Sequence, residues 1–499
     1  MKGNWQIWIE RLFFYKTNNT QKEISVKLLK YSVYMVGAAL FAFSSGCVAY
    51  KPPPDIIHAD NYTTESTKIQ RTLPYAYKTL DVSAAINIAL TNSPTYQQAR
   101  LAMIQAWSVY YGSLNAFTPN VGLAFAGTQS GAYGGTPGVG GSPYGNNWTS
   151  GISGTWNVFN GLQDTMNAMS QLATAKSKEE LNKDARRLLI LSVKLAYYQI
   201  LADKATIQIQ QSNEMFQQQQ VNETQLKYDA GATSLSDLLN FKVGRNNAQV
   251  SVIKAKASYA VDKYALAALL GLTTSEFPES VNFPSVDVIE DQGYSLGVDF
   301  YVNVAVDQRP DLKSSRELVK AAKYALYQTW GAFAPTAGLN WSYTSASSSP
   351  NPVPSSGGSN QPYFNPTYTN SYGFSTAWTL WDGGSQSSRI MKVRGAQANY
   401  DSTQEGLLSS WITVVKSVRT SYMNLTSAIA QKKINGATLS MSKERRDLVR
   451  DEYNAGNTDI ATLNQAQNDL VGVEQNYVTS VIGVVTNRAQ LDAACGLRD

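Results

Sequence analysis

The chain has 499 residues, with 42 Lys and Arg against 37 Asp and Glu, a net charge of +5 and a single His, His58. Hydrophobic residues at 43% and charged residues at 16% exclude a disordered polyelectrolyte, and no Lys/Arg-dense block with interleaved aromatics offers a nucleic-acid surface. One His and two Cys, Cys47 and Cys495, rule out a disulfide framework and speak against a His-based metal site or a Ser/His/Asp triad; the composition is that of a non-enzyme needing no cofactor.

Lys27 and Lys30 precede an apolar stretch over 31–43, followed by Ser44-Ser45-Gly46-Cys47. A basic flank, an apolar core too short to span and small residues at its end predict a secretory signal peptide over 1–46. Small residues ahead of Cys47 match a bacterial lipobox, although Ser44 stands where such a box usually has Leu; the expected outcome is lipid on Cys47, the other reading being ordinary cleavage nearby. Residues 47–79 read as an extended tether, because Pro52-Pro53-Pro54 blocks helix. Beyond the N-terminus no apolar run reaches the ~18 residues that a membrane helix needs.

The rest of the chain is written twice, over 80–290 and 291–499. Ser93-Pro94 corresponds to Arg309-Pro310, and Phe117-Thr118-Pro119 to Phe333-Ala334-Pro335, both at an offset of 216. Trp156-Asn157-Val158-Phe159-Asn160-Gly161 answers Trp378-Thr379-Leu380-Trp381-Asp382-Gly383 at 222, and Tyr228-Asp229-Ala230-Gly231 answers Tyr453-Asn454-Ala455-Gly456 at 225. Landmarks that keep their order with so little drift mark a duplication.

Within each copy a helical pattern comes first, over about 81–115 and 302–330. It ends at the Phe-x-Pro, and alternation with period two follows. Val121, Leu123 and Phe125 share one face; Trp148, Ser150, Ile152, Gly154, Trp156 and Val158 share the next. In the second copy Leu339, Trp341 and Tyr343 are answered by Tyr372, Phe374, Trp378 and Leu380. Hairpins are thus expected over 118–160 and 334–382, with strands about 10 residues long, enough for a tilted strand to cross a bilayer. Gly/Ser/Asn-rich loops are expected at 127–147 and 345–365.

Proline-free stretches over 161–228 and 383–453 then predict helices roughly 100 Å long. In the first, Leu181, Leu188, Leu195, Ala202, Ile209 and Phe216 fall seven apart and suggest a coiled-coil seam. Gln208, Gln210, Gln211 and 217–220 fit either a wet lumen or plain helix surface. Gly231 and Gly456 supply the left-handed residue that ends a helix, and helices return over 234–270 and 460–494.

This order of parts, twice over, resembles the TolC-type outer-membrane efflux family across about 80–497. The Phe-x-Pro sites, the aromatic-[Asn/Asp]-Gly sites, the two Tyr-x-x-Gly turns and Arg309-Pro310-Asp311-Leu312 carry the resemblance, and Cys47 points to its lipoprotein branch. The resemblance implies a mixed α and β membrane protein. As a homotrimer it would form one outer-membrane β-barrel continued by a periplasmic α-helical barrel. It further implies a non-enzymatic exit duct for small toxic molecules or drugs. The partners implied are outer-membrane lipid, an inner-membrane pump and a periplasmic adaptor, the adaptor meeting the turns at Tyr228, Gly231, Tyr453 and Gly456; nucleic acid is not among them. Type I secretion of polypeptides is the alternative within the fold; an autonomous porin has no need of the long helices. The family's acidic gate positions, nine and twelve residues past Tyr453, hold Thr462 and Gln465 here. Asp459 and Asp237 are the nearby acids, as a cation-selective ring or as helix caps.

Overall fold

The structure, a computed structural model, describes residues 79–130, 145–272, 276–278, 281–285, 297–350, 365–380 and 383–496; the signal segment, Cys47, most of the tether, the outer parts of both hairpin loops and Trp381-Asp382 lie outside them. The first copy runs α1 (Val82–Asn92), α2 (Pro94–Ser113), β1 (Asn120–Ser130), β2 (Gly145–Asn160), α3 (Gln163–Asp229) and α4 (Leu235–Leu269). The second runs α5 (Val298–Gln308), α6 (Pro310–Trp330), β3 (Thr336–Pro350), β4 (Asn365–Ala377), α7 (Gly384–Asn454) and α8 (Ile460–Cys495).

The long helices span 67 and 71 residues without interruption, within two residues of the expected bounds. The opening helix of each copy differs from the expectation, for it is two helices. Ser93 (ψ 119°) and Arg309 (ψ 122°) are extended, because the ring of the following Pro excludes the residue before it from the α region. Each Pro then starts a new helix, where its missing N–H costs nothing.

These breaks meet the ends of the returning helices. A Cβ on Gly271 would lie 2.6 Å from the Asn92 carbonyl, and one on Gly496 would lie 2.9 Å from Cα of Arg309. Arg309 fills the second junction. Its guanidinium donates to the Ala494 carbonyl at 3.2 Å, to Ser417 Oγ at 2.7 Å and to Asp311 at 2.9 Å. Arg187 donates to the Ala493 carbonyl at 2.6 Å, so two cations close the negative end of α8.

Each copy has its own core. In the first, Ala85 and Ala89 of α1 pack with Val193, Tyr197 and Ile200 of α3, Leu266 of α4 and Phe283. In the second, Tyr301 and Ala305 of α5 pack with Val414, Val418 and Leu425 of α7 and Leu491 of α8. Cys495 is fully buried in the second core, and burial pushes its thiol up to about 12, which makes it a packing residue.

The strands form one antiparallel sheet in the order β1-β2-β3-β4. They run 11, 16, 15 and 13 residues, longer than expected. The backbone ladder continues into 127–130, 145–147 and 345–350, stretches read from sequence as loop, since Gly, Ser and Asn are weak strand formers but do not block pairing. Both copies anchor the sheet to the helices in the same way: Trp156 Nε1 donates to the Phe117 carbonyl and Trp378 Nε1 to the Phe333 carbonyl, each at 3.1 Å.

The chain leaves β2 through Gly161 at φ +70°, where its backbone touches that of Gly331. A Cβ on Gly161 would overlap the Gly331 carbonyl oxygen, whereas one on Gly231, at φ +72°, would have nothing within 4 Å. Gly231→Ala should therefore cost about 1–2 kcal/mol, the left-handed penalty alone. Gly161→Ala adds an overpacking cost of about 1–3 kcal/mol. Denaturant unfolding of the purified protein should rank wild type above Gly231→Ala and that above Gly161→Ala; equal effects would remove the contact from the account.

Candidate functional site

The candidate residues lie on two surfaces at opposite ends of the long helices. At one end the register sorts the sheet into two unlike faces. Val121, Gly154, Trp341 and Tyr372 lie in one cross-strand row, and Leu123, Ile152 and Tyr343 in the next. With Phe125, Trp148, Trp156, Leu339, Tyr368 and Phe374 they make a face dominated by large apolar and aromatic side chains, which Ser150, Ser345, Asn370 and Thr376 share, and Phe125 and Tyr372 are 81% and 86% exposed. Tyr343 and Tyr368 stack with ring centroids 6.3 Å apart. The opposite face holds Ala124, Gly151, Ser153, Asn340, Ser342, Thr344, Ser371 and Ser375, all small or uncharged. None of the four strands contains Asp, Glu, Lys or Arg. The alternation expected from sequence is present with two corrections, for a bulge after Asn157 sets Phe159 rather than Val158 opposite Ala337, and Trp378 and Leu380 lie beyond the end of β4. An exposed face rich in large apolar side chains needs an apolar neighbour.

At the other end α3 and α7 stop in matching turns. The amide of Gly231 donates to Tyr228 and that of Ala232 to Lys227; Gly456 donates to Tyr453 and Asn457 to Glu452 in the same pattern. This is the Schellman arrangement, and φ of +72° and +78° explains the glycines. Tyr453 turns inward, edge-on to buried Phe241 at 6.2 Å, under Lys227 Nζ at 5.1 Å, and burial raises its phenol pKa. Tyr228 stays exposed. Phe241, Val221 and Leu463 make the small core that ties the two turns together.

The four candidate gate residues sit at the starts of α4 and α8. Ser234 Oγ accepts the Asp237 amide at 3.2 Å, and Thr233 Oγ1 donates to the Asp237 carboxylate at 2.9 Å. Asp459 accepts the Thr462 amide at 2.8 Å and the Thr462 hydroxyl at 2.6 Å. Hydrogen bonds from Ser234 and Thr233 lower the pKa of Asp237, and those from Thr462 lower that of Asp459, so both carboxylates are ionised at neutral pH. Gln465 donates to Asp469 at 2.6 Å. Each of these contacts belongs to a helix start or to a helix face.

Along α3 the seven-spaced seam makes only part of the helix contacts: Ala202 and Phe216 pack against the cores. Leu181 and Leu188 are 37% and 46% exposed, while Ile190, Val193, Tyr197 and Ile200 are buried. Farther on, the buried stripe is polar: Gln210, Asn213, Gln217, Gln220 and Thr224. A helix of 3.6 residues per turn drifts about 20° per heptad, so no single heptad position stays inward along the whole of α3. Gln467 of α8 donates to Asn213 Oδ1 at 3.0 Å, and Gly244 of α4 makes room for the Gln217 carboxamide. The glutamine cluster therefore divides. Gln210, Gln217 and Gln220 are buried, while Gln208, Gln211 and Gln219 remain on the surface. The buried carboxamides, spaced three and four apart, were visible in the sequence as a polar heptad.

The sequence profile of the outer membrane efflux protein family matches residues 85–272 and 301–497, one stretch for each copy. Comparison with curated proteins returns no match. Among solved structures the chain is similar to CusC, at 16% identity and a TM-score of 0.72, over 83% of this chain and 92% of that one. It is similar to the CmeC outer membrane channel of Campylobacter jejuni at 15% identity and a TM-score of 0.70, over 90% of each chain. A third match is the outer membrane protein VceC of Vibrio cholerae, at 16% identity and a TM-score of 0.68, over 83% of this chain and 96% of that one. With a sheet of one apolar and one small polar face, two uninterrupted long helices and a profile match that covers both copies, the chain belongs to the outer membrane efflux protein family.

Proposed function

We propose that this chain is the exit duct of a tripartite export system, passing small toxic molecules from an inner-membrane pump and a periplasmic adaptor to the outside. The observation that carries the reading is the four-stranded sheet with an apolar face and two unpaired edges, β1 and β4. Unpaired backbone groups are not tolerated in lipid, and four strands are too few to close on themselves. Family members form trimeric channels that work with adaptors and pumps, and three copies of this sheet give a closed barrel of twelve strands. The apolar face then meets lipid and the small uncharged face lines the pore. Cys47 carries the lipid anchor, and the mass of the mature N-terminal peptide tests that directly: an unmodified N-terminus starting elsewhere removes the anchor.

Within this assembly Tyr372 faces lipid and Ser371 the pore. Tyr372→Lys should lower the amount of trimer in the outer membrane, at a cost of up to about 2–4 kcal/mol per site near the bilayer midplane, while Ser371→Lys leaves it unchanged. Semi-native gels of membrane fractions read the difference, and a reversed order would invert the barrel.

The turns at Gly231 and Gly456 lie roughly 100 Å from the strands by helix length. They are assigned to the adaptor. Gly231→Val with Gly456→Val places β-branched residues at positive φ, where neither Cβ meets a neighbour, so the strain stays local. In a deletion strain challenged with a panel of toxic compounds, this variant should fail to restore resistance, should lose adaptor crosslinking, and should keep its trimer. Restored resistance would take docking away from the turns; loss of the trimer would make them part of its core.

A further inference from the structure

Where the end of α8 meets the break between α5 and α6, a cavity of about 460 Å³ opens against the middle of α3. Five cations line it: Lys183, Arg186, Arg187 and Lys194 of α3, and Lys313 of α6. Glu180 and Asp492 share the lining, Glu179 and Asp184 pair with two of the cations from just outside it, and Ile190 and Leu191 add apolar surface.

Not all of this charge is available. Arg187 is held by Asp184 at 2.7 Å and by the Ala493 carbonyl, and Lys183 is held by Glu180 at 2.6 Å and Glu179 at 3.2 Å. Arg186 makes no hydrogen bond or ion pair among the described residues, and Lys313 has only a 3.5 Å approach to Gln308 Oε1. These two side chains line the same cavity from different helices, beside the paired cations.

The duplication provides an internal control. Closing a returning helix against a broken one does not require this charge. Lys313 corresponds to Gln97 in the first copy, and Lys183, Arg186 and Arg187 are answered in α7 by Glu405, Leu408 and Ser409; only Lys194 keeps a cationic counterpart, Lys416. A solvated helix face would also account for scattered lysines, but not for cations from two helices converging on one concave, part-apolar site. A cavity of this size suits a small molecule, and paired cations over an apolar floor suit a compact organic anion.

We propose that this cavity is a binding site for a small organic anion with two or three carboxylates, held by Arg186 and Lys313 over Ile190 and Leu191. All of its lining residues belong to one protomer. Isothermal titration of the full-length protein in detergent with citrate, set against inorganic phosphate and against chloride at equal ionic strength, tests it. Wild type should bind citrate with one site per chain and more tightly than phosphate. Arg186→Gln with Lys313→Gln should weaken binding at least tenfold, and the charge-conserving Arg186→Lys with Lys313→Arg should keep most of it. Trimer content on semi-native gels accompanies each variant, so a folding defect is seen separately. Heat no larger than that of chloride, equal binding of citrate and phosphate, or undiminished citrate binding by the double glutamine variant in its folded trimer would each overturn the proposal.

Discussion

Backbone hydrogen bonding in an apolar solvent is the constraint on which the rest of this molecule depends. The sheet satisfies its internal N–H and C=O groups through three antiparallel ladders, but β1 and β4 each present an edge. In water such edges are solvated; in lipid each unmet group costs several kcal/mol. A face rich in Trp, Tyr, Phe and Leu cannot remain in water at low cost, and a sheet with open edges cannot enter lipid alone. Closure with further copies satisfies both demands. In the proposed assembly this closure also gathers the long helices that continue from β2 and β4 below the barrel.

Duplication gives the two halves the same means of passing from helix to strand, and their differences then become informative. A Trp donating to the Phe carbonyl of the Phe-x-Pro turn occurs in both halves with the same geometry. Gly161 is locked against Gly331 within the chain, whereas a Cβ on Gly383, also at positive φ, would meet nothing within 4 Å among the described residues. The junctions of the returning helices differ too: both close by backbone approach, Gly271 on Asn92 and Gly496 on Arg309, and the second adds the guanidinium groups of Arg309 and Arg187. Copies of one ancestral unit thus meet different neighbours and have diverged where those neighbours differ.

Along α3 the packing changes character. Near the middle the buried stripe is aliphatic and aromatic, and each such side chain contributes about 1.5–3 kcal/mol on burial. Toward the tip it is made of carboxamides, whose burial gains little net energy and is penalised where an oxygen goes unpaired, as with Oε1 of Gln217 and Gln220 among the described residues. The tip is held by a small cluster around Phe241 and Leu463 together with polar contacts such as Gln467 to Asn213. A firmly packed middle and a weakly held end follow from that gradient in composition.

The sequence by itself determined the duplication, the length and continuity of α3 and α7, the Tyr-x-x-Gly turns and the faces of the strands. Each of these rests on a local rule: proline-free stretches propagate helix, glycine admits positive φ, and period two separates the faces of a strand. The breaks at Ser93-Pro94 and Arg309-Pro310 obey a local rule as well and were legible, yet the helical periodicity on either side concealed them. Only the tertiary structure decided which stripe of α3 is buried, how far the Gly- and Ser-rich strand ends stay paired, and that Arg186 and Lys313 line one cavity. Those outcomes depend on partners far away in the chain, Asn213 with Gln467 or Arg309 with Ala494. Such pairs leave no periodic trace, because the geometry that joins them exists only once the helices have packed.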